Sequence, residues 1–509
     1  MKVNTVWELL KNIAEEDDHD QKLLDKKNGT TRVVTVNELK ADAERFAYYI
    51  ASKKLEKGHV VILAKNSIEC VKTYFSIAAA GAVSIIMDTR YSPEESLKLF
   101  RQADGEMLIY DEELREKAEY IADNCPELSE KICIQRIWED EKYLSANMAG
   151  DIKLPEATED SVCSMFYTSG TTGDVKVVML THKNFISNVI SVVEATDYKK
   201  DGSTAILSIL PISHVFGLSC EILCGLDLRG DVFINDEFSN FIKNAQEFRP
   251  VLIMAIPMIV KFISSVFNRT AKKNPGMTKE EIKKAVVGDR LRFIATGAAY
   301  LNPDYITEFK DYGIFVRPGY GMTECAPQIA SNSIGALKTF SVGKVVRDVQ
   351  IKIVDNEIYV KGPNVMKGYY NNQEATDAAF KDGWLATGDL GYLDEDNYLY
   401  ITGRRKNLII LENGENVCPE TVENKLYDSS PLISEVIVYA ENNMIQAEIY
   451  TQQPDDKETM ELLEKAVQQV NSALPTFSRV VKFKLRSTPF EKTTTGKIKR
   501  NITYSVEEM

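Results

Sequence analysis

Apolar runs rich in β-branched residues recur through the first 300 residues with helix-like stretches between them: VVILA (60–64), VSIIM (83–87), MLIY (107–110), AILSI (205–209), VLIMA (251–255) and LRFIAT (291–296). Alternation of this kind predicts an α/β protein with largely parallel sheets, whose ligands sit beyond the carboxyl ends of the strands. From about Gln350 the spacing tightens. IKIVD and EIYVKG are separated by almost nothing, which predicts hairpins and a small antiparallel subdomain. After Gly403 two strands (ISEVIVYAE and MIQAEIYT), a helix near 457–473 and a strand VVKFKL predict a compact α+β unit of its own.

At 509 residues the chain is too long for one ordinary core, so more than one domain is expected. Hydrophobic residues at 44% and charged residues at 27% are those of a globular enzyme. A net charge of -14 argues against nucleic acid as the main partner, since that binding rests on Lys and Arg neutralising phosphates. The stretch Arg479 to Arg500 is nevertheless rich in Lys and Arg, enough for an anionic small ligand.

The start, MKVNTVWELLKNIAEEDD, turns acidic where a secretory signal needs an apolar run, so a cytoplasmic location is expected. The apolar stretches near 205–226 and 250–262 are broken by Pro211, His214, Glu221 and Pro257, so neither predicts a membrane span. Eight cysteines without a CxxC pair and only four histidines argue against a structural zinc site and for free thiols.

Four segments carry chemistry. YTSGTTGDVKVV (167–178) follows the apolar run SVCSMF. A strand delivering the chain into hydroxyls and glycines makes a loop whose N–H groups, with Ser169, Thr171 and Thr172, can donate to phosphate oxygens, while Lys176 adds charge. Its spacing is not that of a Walker loop. RPGYGMTEC (317–325) sets Tyr320 between glycines and Thr323 and Glu324 just after: an aromatic face for a purine, a hydroxyl for an α-phosphate, a carboxylate for Mg2+. The stretch 383–420 contributes Asp389, an acceptor for ribose hydroxyls, and Arg404, expected to hold the same nucleotide from the other side. TTTGKIKR (493–500) is a Gly-Lys turn. A Ser/Thr/Gly loop alone is commonly just a turn. Four such segments in this order are not.

YTSGTTG with its downstream lysine, YGMTE, TGD, GRRK and TGKIKR together resemble the adenylate-forming family of acyl-CoA synthetases, luciferases and peptide-synthetase adenylation domains, over essentially the whole chain. The motifs are most similar to those of fatty acyl-CoA synthetases. The resemblance implies a large N-terminal domain (1–403) of two stacked, mostly parallel sheets with a small β-barrel-like subdomain, and a small mobile α+β C-terminal domain (404–509). It also implies ATP-dependent activation of a carboxylic acid to an acyl-adenylate, then transfer to a thiol. Thr168, Ser169, Gly170, Thr171, Thr172, Gly173 and Lys176 would steady the β- and γ-phosphates. Glu324 would bind Mg2+ and Thr323 would touch the α-phosphate. Gly297, Ala298, Tyr320 and Gly321 would line the adenine site, and Asp389 and Arg404 the ribose.

By the same resemblance, Lys497 would reach the charge developing between carboxylate and α-phosphate, a contribution of about 3 to 4 kcal/mol for one preorganised donor. Adenylation needs that lysine in the site and thiol attack needs it out, so a domain rotation is implied, with Lys406 at the hinge and Gly414 in the thiol channel. One departure stands out. Val175 and Val177 flank Lys176 where the family carries Pro and Gly, which puts the shape of the loop's end in question.

LPISHVFGL (210–218) resembles the segment whose histidine, here His214, borders the carboxylate pocket of fatty-acyl enzymes. GAAY (297–300) leaves depth for a chain of several methylenes, each worth about 0.8 kcal/mol on burial. A medium- or long-chain fatty acid is the expected substrate, an aryl acid the alternative. Coenzyme A is the expected acceptor because the chain ends soon after TGKIKR; the phosphopantetheine of a free-standing acyl carrier protein is the alternative. A non-catalytic ligand-binding descendant is disfavoured by Lys176, Glu324, Asp389, Arg404 and Lys497 being present together. A peripheral membrane protein anchored by 205–226 predicts liposome binding.

Overall fold

The computed structural model describes residues 3–147, 150–169, 175–196, 200–333, 335–412, 414–492 and 498–500. The chain forms two compact units, Met1–Ala298 with Tyr305–Gln350 and Val360–Leu385, and Ala299–Asp304 with Ile351–Tyr359 and Ala386–Met509.

In the first unit, one sheet has a parallel centre of Val162–Ser169, Val83–Ile86, His59–Leu63, Met107–Tyr110 and Glu130–Cys133, in that spatial order. Val175–Thr181 adds an antiparallel strand beside Val162–Ser169, and Gly368–Tyr369 pairs with its far edge. A second sheet runs parallel through Phe315–Gly321, Phe293–Thr296, Leu252–Ala255, Ile206–Ser208, Val232–Ile234 and Lys22–Lys27. Thr30–Thr35 folds back antiparallel at one end, and Gln328–Ser331 with Gly343–Val345 at the other.

All six apolar runs read from the sequence are strands of these sheets, because runs buried on both faces have no use for alternation. The strands Lys22–Lys27, Thr30–Thr35 and Val232–Ile234 were not legible, the first two being too polar to stand out. Helix starts follow capping chemistry. Ser92 and Glu95 form a reciprocal capping box with Pro93 in the first turn of Pro93–Gln102, which fixes where the chain turns after strand Val83–Ile86 and Asp88.

Residues 205–226 are interior: strand Ile206–Ser208, then a π-helical stretch Phe216–Leu223 and a last turn Cys224–Asp227, all but a few positions buried. No helix among the described residues is long and apolar enough to cross a membrane.

In the second unit the expected hairpin is formed. Asp355 and Asn356 take the left-handed backbone (φ 51 and 63) that a two-residue turn between Gln350–Val354 and Glu357–Lys361 demands. These strands, Trp384–Leu393 and Tyr398–Arg404 lie side by side in chain order as an open sheet. The β-barrel-like subdomain expected from the family resemblance is therefore corrected: no closed barrel occurs among the described residues, since consecutive hairpin strands leave both ends of the meander unjoined to each other. Beyond it, Glu435–Glu441 pairs antiparallel with Met444–Tyr450, which pairs in parallel with Lys482–Arg486. Helices Pro419–Ser429 and Lys457–Ser472 bury Val422, Leu426, Leu463 and Val467 in the core this sheet shares.

Candidate functional site

The hairpin Val162–Ser169/Val175–Thr181 brings Thr168 opposite Lys176, with the Thr168 hydroxyl donating to the Lys176 carbonyl at 3.4 Å. Val175 and Val177, the departures noted above, continue the strand, as β-branched residues do on a pleated surface. Of Ser169 the backbone is described, paired with Val175. Gly170, Thr171, Thr172 and Gly173 lie outside the described residues, as does Lys497.

Strand Phe315–Gly321 ends in a bulge at Tyr320 and Gly321 and passes into a single turn, Thr323–Cys325. A side chain on Gly321 would come within 2.1 Å of the Pro327 carbonyl, so glycine here answers to the protein's own backbone. The Met366 N–H donates to the Glu324 carbonyl at 2.8 Å, and Asn364 donates to the carbonyls of Cys325 and Gln328 at 3.2 and 2.8 Å. This bracing fixes the backbone that carries Glu324, a residue 8% exposed. Its Oε1 accepts the Tyr369 hydroxyl at 2.9 Å. Burial and the adjoining Glu324 charge push the Tyr369 phenol well above its ordinary range, so it stays a donor. Over the ring of Tyr369 sits the Lys176 ammonium, 4.7 Å from the centroid. One tyrosine thus joins the lysine and the carboxylate picked out separately from sequence.

Gly297 and Ala298 follow strand Phe293–Thr296, whose neighbour in register is Arg317–Pro318. An added Cβ on Gly297 would make only ordinary contact, 3.5 Å from the Gly319 carbonyl, whereas Ala298 is held at φ 71. Left-handed backbone at a residue with a side chain is costly and concentrates at functional sites. Gly297, Ala298, Tyr320, Gly321, Thr323 and Glu324 therefore gather at the carboxyl ends of two adjacent parallel strands.

His214 lies in a loop of the same unit, its Nε2 3.5 Å from Asp88 Oδ2, too long for a good hydrogen bond. Asp88 is 5% exposed just past strand Val83–Ile86. Burial alone would raise its carboxyl, but the Arg90 guanidinium at 2.5 Å holds it below the usual carboxylate range.

In the second unit Asp389 and Arg404 are register partners on antiparallel strands, with Arg404 Nε 2.7 Å from Asp389 Oδ1. They meet each other directly. Asp389 is 3% exposed, so the guanidinium pairs a nearly buried carboxylate and fixes its orientation. Glu357 braces the preceding turn: it accepts from the Gly388 N–H at 3.2 Å and pairs with Arg405. Lys406 occupies the turn Arg405–Asn407, and Gly414 a tight turn at φ 83 between Ile409–Ile410 and Asn416–Val417.

Sequence reasoning missed Tyr369, Asp88 and Glu357. Each acts by holding another group, and a partner distant in sequence leaves no spacing to read.

No group of three or more His, Cys, Asp or Glu side chains able to cage a metal occurs among the described residues. Glu324, with Tyr369 on one oxygen, suits an ion that takes a single protein carboxylate and completes its shell with water and phosphate, as Mg2+ does.

The sequence matches the AMP-binding enzyme family over residues 12–370 and the AMP-binding enzyme C-terminal domain over 406–506. It is 31% identical over 423 residues to the 2-succinylbenzoate–CoA ligase of Bacillus subtilis (strain 168), covering 79% of each chain. It is 29% identical to 4-coumarate–CoA ligase 2 of Nicotiana tabacum, over 75% of this chain and 72% of that one. Among solved structures, O-succinylbenzoate coenzyme A synthetase from Bacillus subtilis in complex with AMP superimposes with a TM-score of 0.79 at 25% identity, covering 98% of both chains. The same synthetase in complex with ATP and magnesium ion gives 0.78 at 25% identity, over 97% of this chain and 98% of that one.

Proposed function

Because the chain belongs to the AMP-binding enzyme family, we propose that it is an AMP-forming acid–thiol ligase. It activates a carboxylic acid with ATP and passes the acyl group to the thiol of coenzyme A. In the first half the acid's carboxylate oxygen attacks the α-phosphorus and pyrophosphate leaves. In the second the thiolate attacks the acyl carbon and AMP leaves. The observation that carries this reading is the contact chain Lys176–Tyr369–Glu324, which unites a cation beside the hydroxyl-rich loop with a buried carboxylate.

In this reading Lys176, with Thr168 to Gly173, grips the β- and γ-phosphates. Thr323 bonds the α-phosphate. Gly297, Ala298, Tyr320 and Gly321 receive the adenine, and Asp389, oriented by Arg404, accepts from the ribose hydroxyls. Glu324 holds Mg2+, which when bound offsets phosphate charge. Lys497 serves the first half-reaction, with Lys406 as hinge and Gly414 in the thiol channel, and the division 1–403 and 404–509 follows from that hinge.

For the acid, relatives acting on 2-succinylbenzoate and 4-coumarate favour a ring-bearing acid over the fatty acid expected from the sequence. The second reading, a medium- or long-chain fatty acid, rests on His214 and the small residues at 297–299. ATP–pyrophosphate exchange across aryl, arylalkanoic, dicarboxylic and fatty acids tests both, with thioester formation measured beside it for coenzyme A and for carrier protein. Exchange with an aryl acid and thioester on coenzyme A is the expected result. Silence with every acid would remove the ligase reading, and exchange confined to fatty acids would restore the original substrate.

A further inference from the structure

Glu221 stands in the apolar run 205–226, where the sequence offers no reason for a carboxylate. It is fully buried in the π-helical stretch Phe216–Leu223, and helices of that kind are uncommon and cluster at functional sites. Its oxygens accept three hydrogen bonds. Oε2 takes the Ser208 hydroxyl at 2.8 Å and the Leu210 N–H at 3.0 Å, and Oε1 takes the Ile209 N–H at 3.1 Å. These donors are the backbone and side chain at the end of strand Ile206–Ser208, the point where the chain leaves the sheet for the loop bearing His214.

The other side of that loop is clamped by Asn66, which donates to the Leu210 carbonyl at 2.7 Å and accepts from the Ile212 N–H at 3.0 Å. Gly217 closes the circuit, since a Cβ there would lie 2.4 Å from the Pro211 carbonyl. The loop is thereby pinned at 209, 210, 211 and 212, and His214 stands two residues beyond the clamp. A buried carboxylate is costly unless its lone pairs are used. Burial pushes this one up to about 8, against the pull of the three donors. An amide or aliphatic residue would fill the space without that cost, so the carboxylate answers to the geometry it imposes.

We infer that Glu221 is a positioning residue: with Asn66 it fixes the 208–212 loop and so sets where His214 stands toward the acid substrate. The inference rests on the ligase reading for its catalytic meaning and on geometry alone for the link between Glu221 and His214. Glu221→Gln keeps the volume but turns an amide N–H2 toward at least one of three donors, which dislodges the loop. Two measurements separate the possibilities. The chain has four histidines, so 13C-histidine NMR, with His214 assigned by its absence in His214→Gln, reads the loop directly. In Glu221→Gln the His214 resonance is expected to shift or split while those of His19, His59 and His182 stay. In steady-state exchange assays, KM for the acid is expected to rise about fivefold or more while KM for ATP changes less than about twofold, the spread of one to two lost hydrogen bonds.

Should Glu221→Gln not fold, Asn66→Ala and Ser208→Ala carry the same test. An unmoved His214 resonance, or acid and ATP KM altered together, would overturn the inference. A shifted resonance in a protein whose wild type exchanges pyrophosphate with no acid would leave the positioning intact and sink the ligase reading instead.

Discussion

Replacing Tyr369 by Phe removes one oxygen and nothing else from the contact chain. The ring remains to carry Lys176, 4.7 Å from its centroid, so the cation keeps its seat. What is lost is the 2.9 Å hydrogen bond to Glu324 Oε1, between two side chains each 8% exposed. A hydrogen bond to a charged, buried acceptor contributes about 1.5 to 3 kcal/mol, which corresponds to roughly tenfold to 150-fold in an equilibrium constant. Loss of a group that orients a metal ligand typically costs about 10- to 100-fold in metal affinity, an independent figure of the same size. The Mg2+ concentration giving half-maximal pyrophosphate exchange is therefore expected to rise by about tenfold or more in Tyr369→Phe. Thermal shift with ATP, titrated with Mg2+, should move in parallel and needs no turnover. A magnesium titration superimposable on that of the wild type, by both methods, would refute the claim that Tyr369 orients Glu324 for the ion.

Further substitutions probe other parts. Lys497→Ala is expected to slow acyl-adenylate formation by about a hundredfold to a thousandfold while sparing thioester formation from supplied acyl-adenylate; equal loss in both halves, by single-turnover assay, counts against separate conformations. Gly321→Ala forces a Cβ to within 2.1 Å of a carbonyl oxygen and should give insoluble or strongly destabilised protein, checked by yield and melting temperature. His182, 1% exposed, accepts the Val6 N–H at 3.1 Å, and burial lowers its pKa to about 4. The unfolded chain takes up that proton near 6.5 and the folded chain only near 4, so stability is lost as pH falls across this window, by on the order of 3 kcal/mol. His182→Gln, which keeps an acceptor, should flatten that part of the melting temperature against pH.

The sheets were legible because their strands are buried on both faces, as MLIY at 107–110 and VLIMA at 251–255 show. Polar edge strands such as Lys22–Lys27 escaped notice, since nothing in KLLDKK demands a sheet. The site divides similarly. Glu324, Lys176, Asp389 and Arg404 announce themselves in compact motifs, but how they are held does not. Tyr369 follows Glu324 by 45 positions and Glu357 precedes Arg405 by 48, and such separations are closed only by folding. The direct pairing of Asp389 with Arg404 was equally hidden: it depends on a strand register that places 389 opposite 404.

The inward folding of residues 205–226 has a consequence for where the protein can attach. Leu218, Ile222, Leu223 and Leu226 are wholly enclosed, and Glu221 among them is tied to the sheet end by three donors. Turning this segment outward to meet lipid would strip the helix from its neighbours and leave a carboxylate facing hydrocarbon. This apolar stretch is thus a keel, and any traffic with a bilayer has to be handled by a different face.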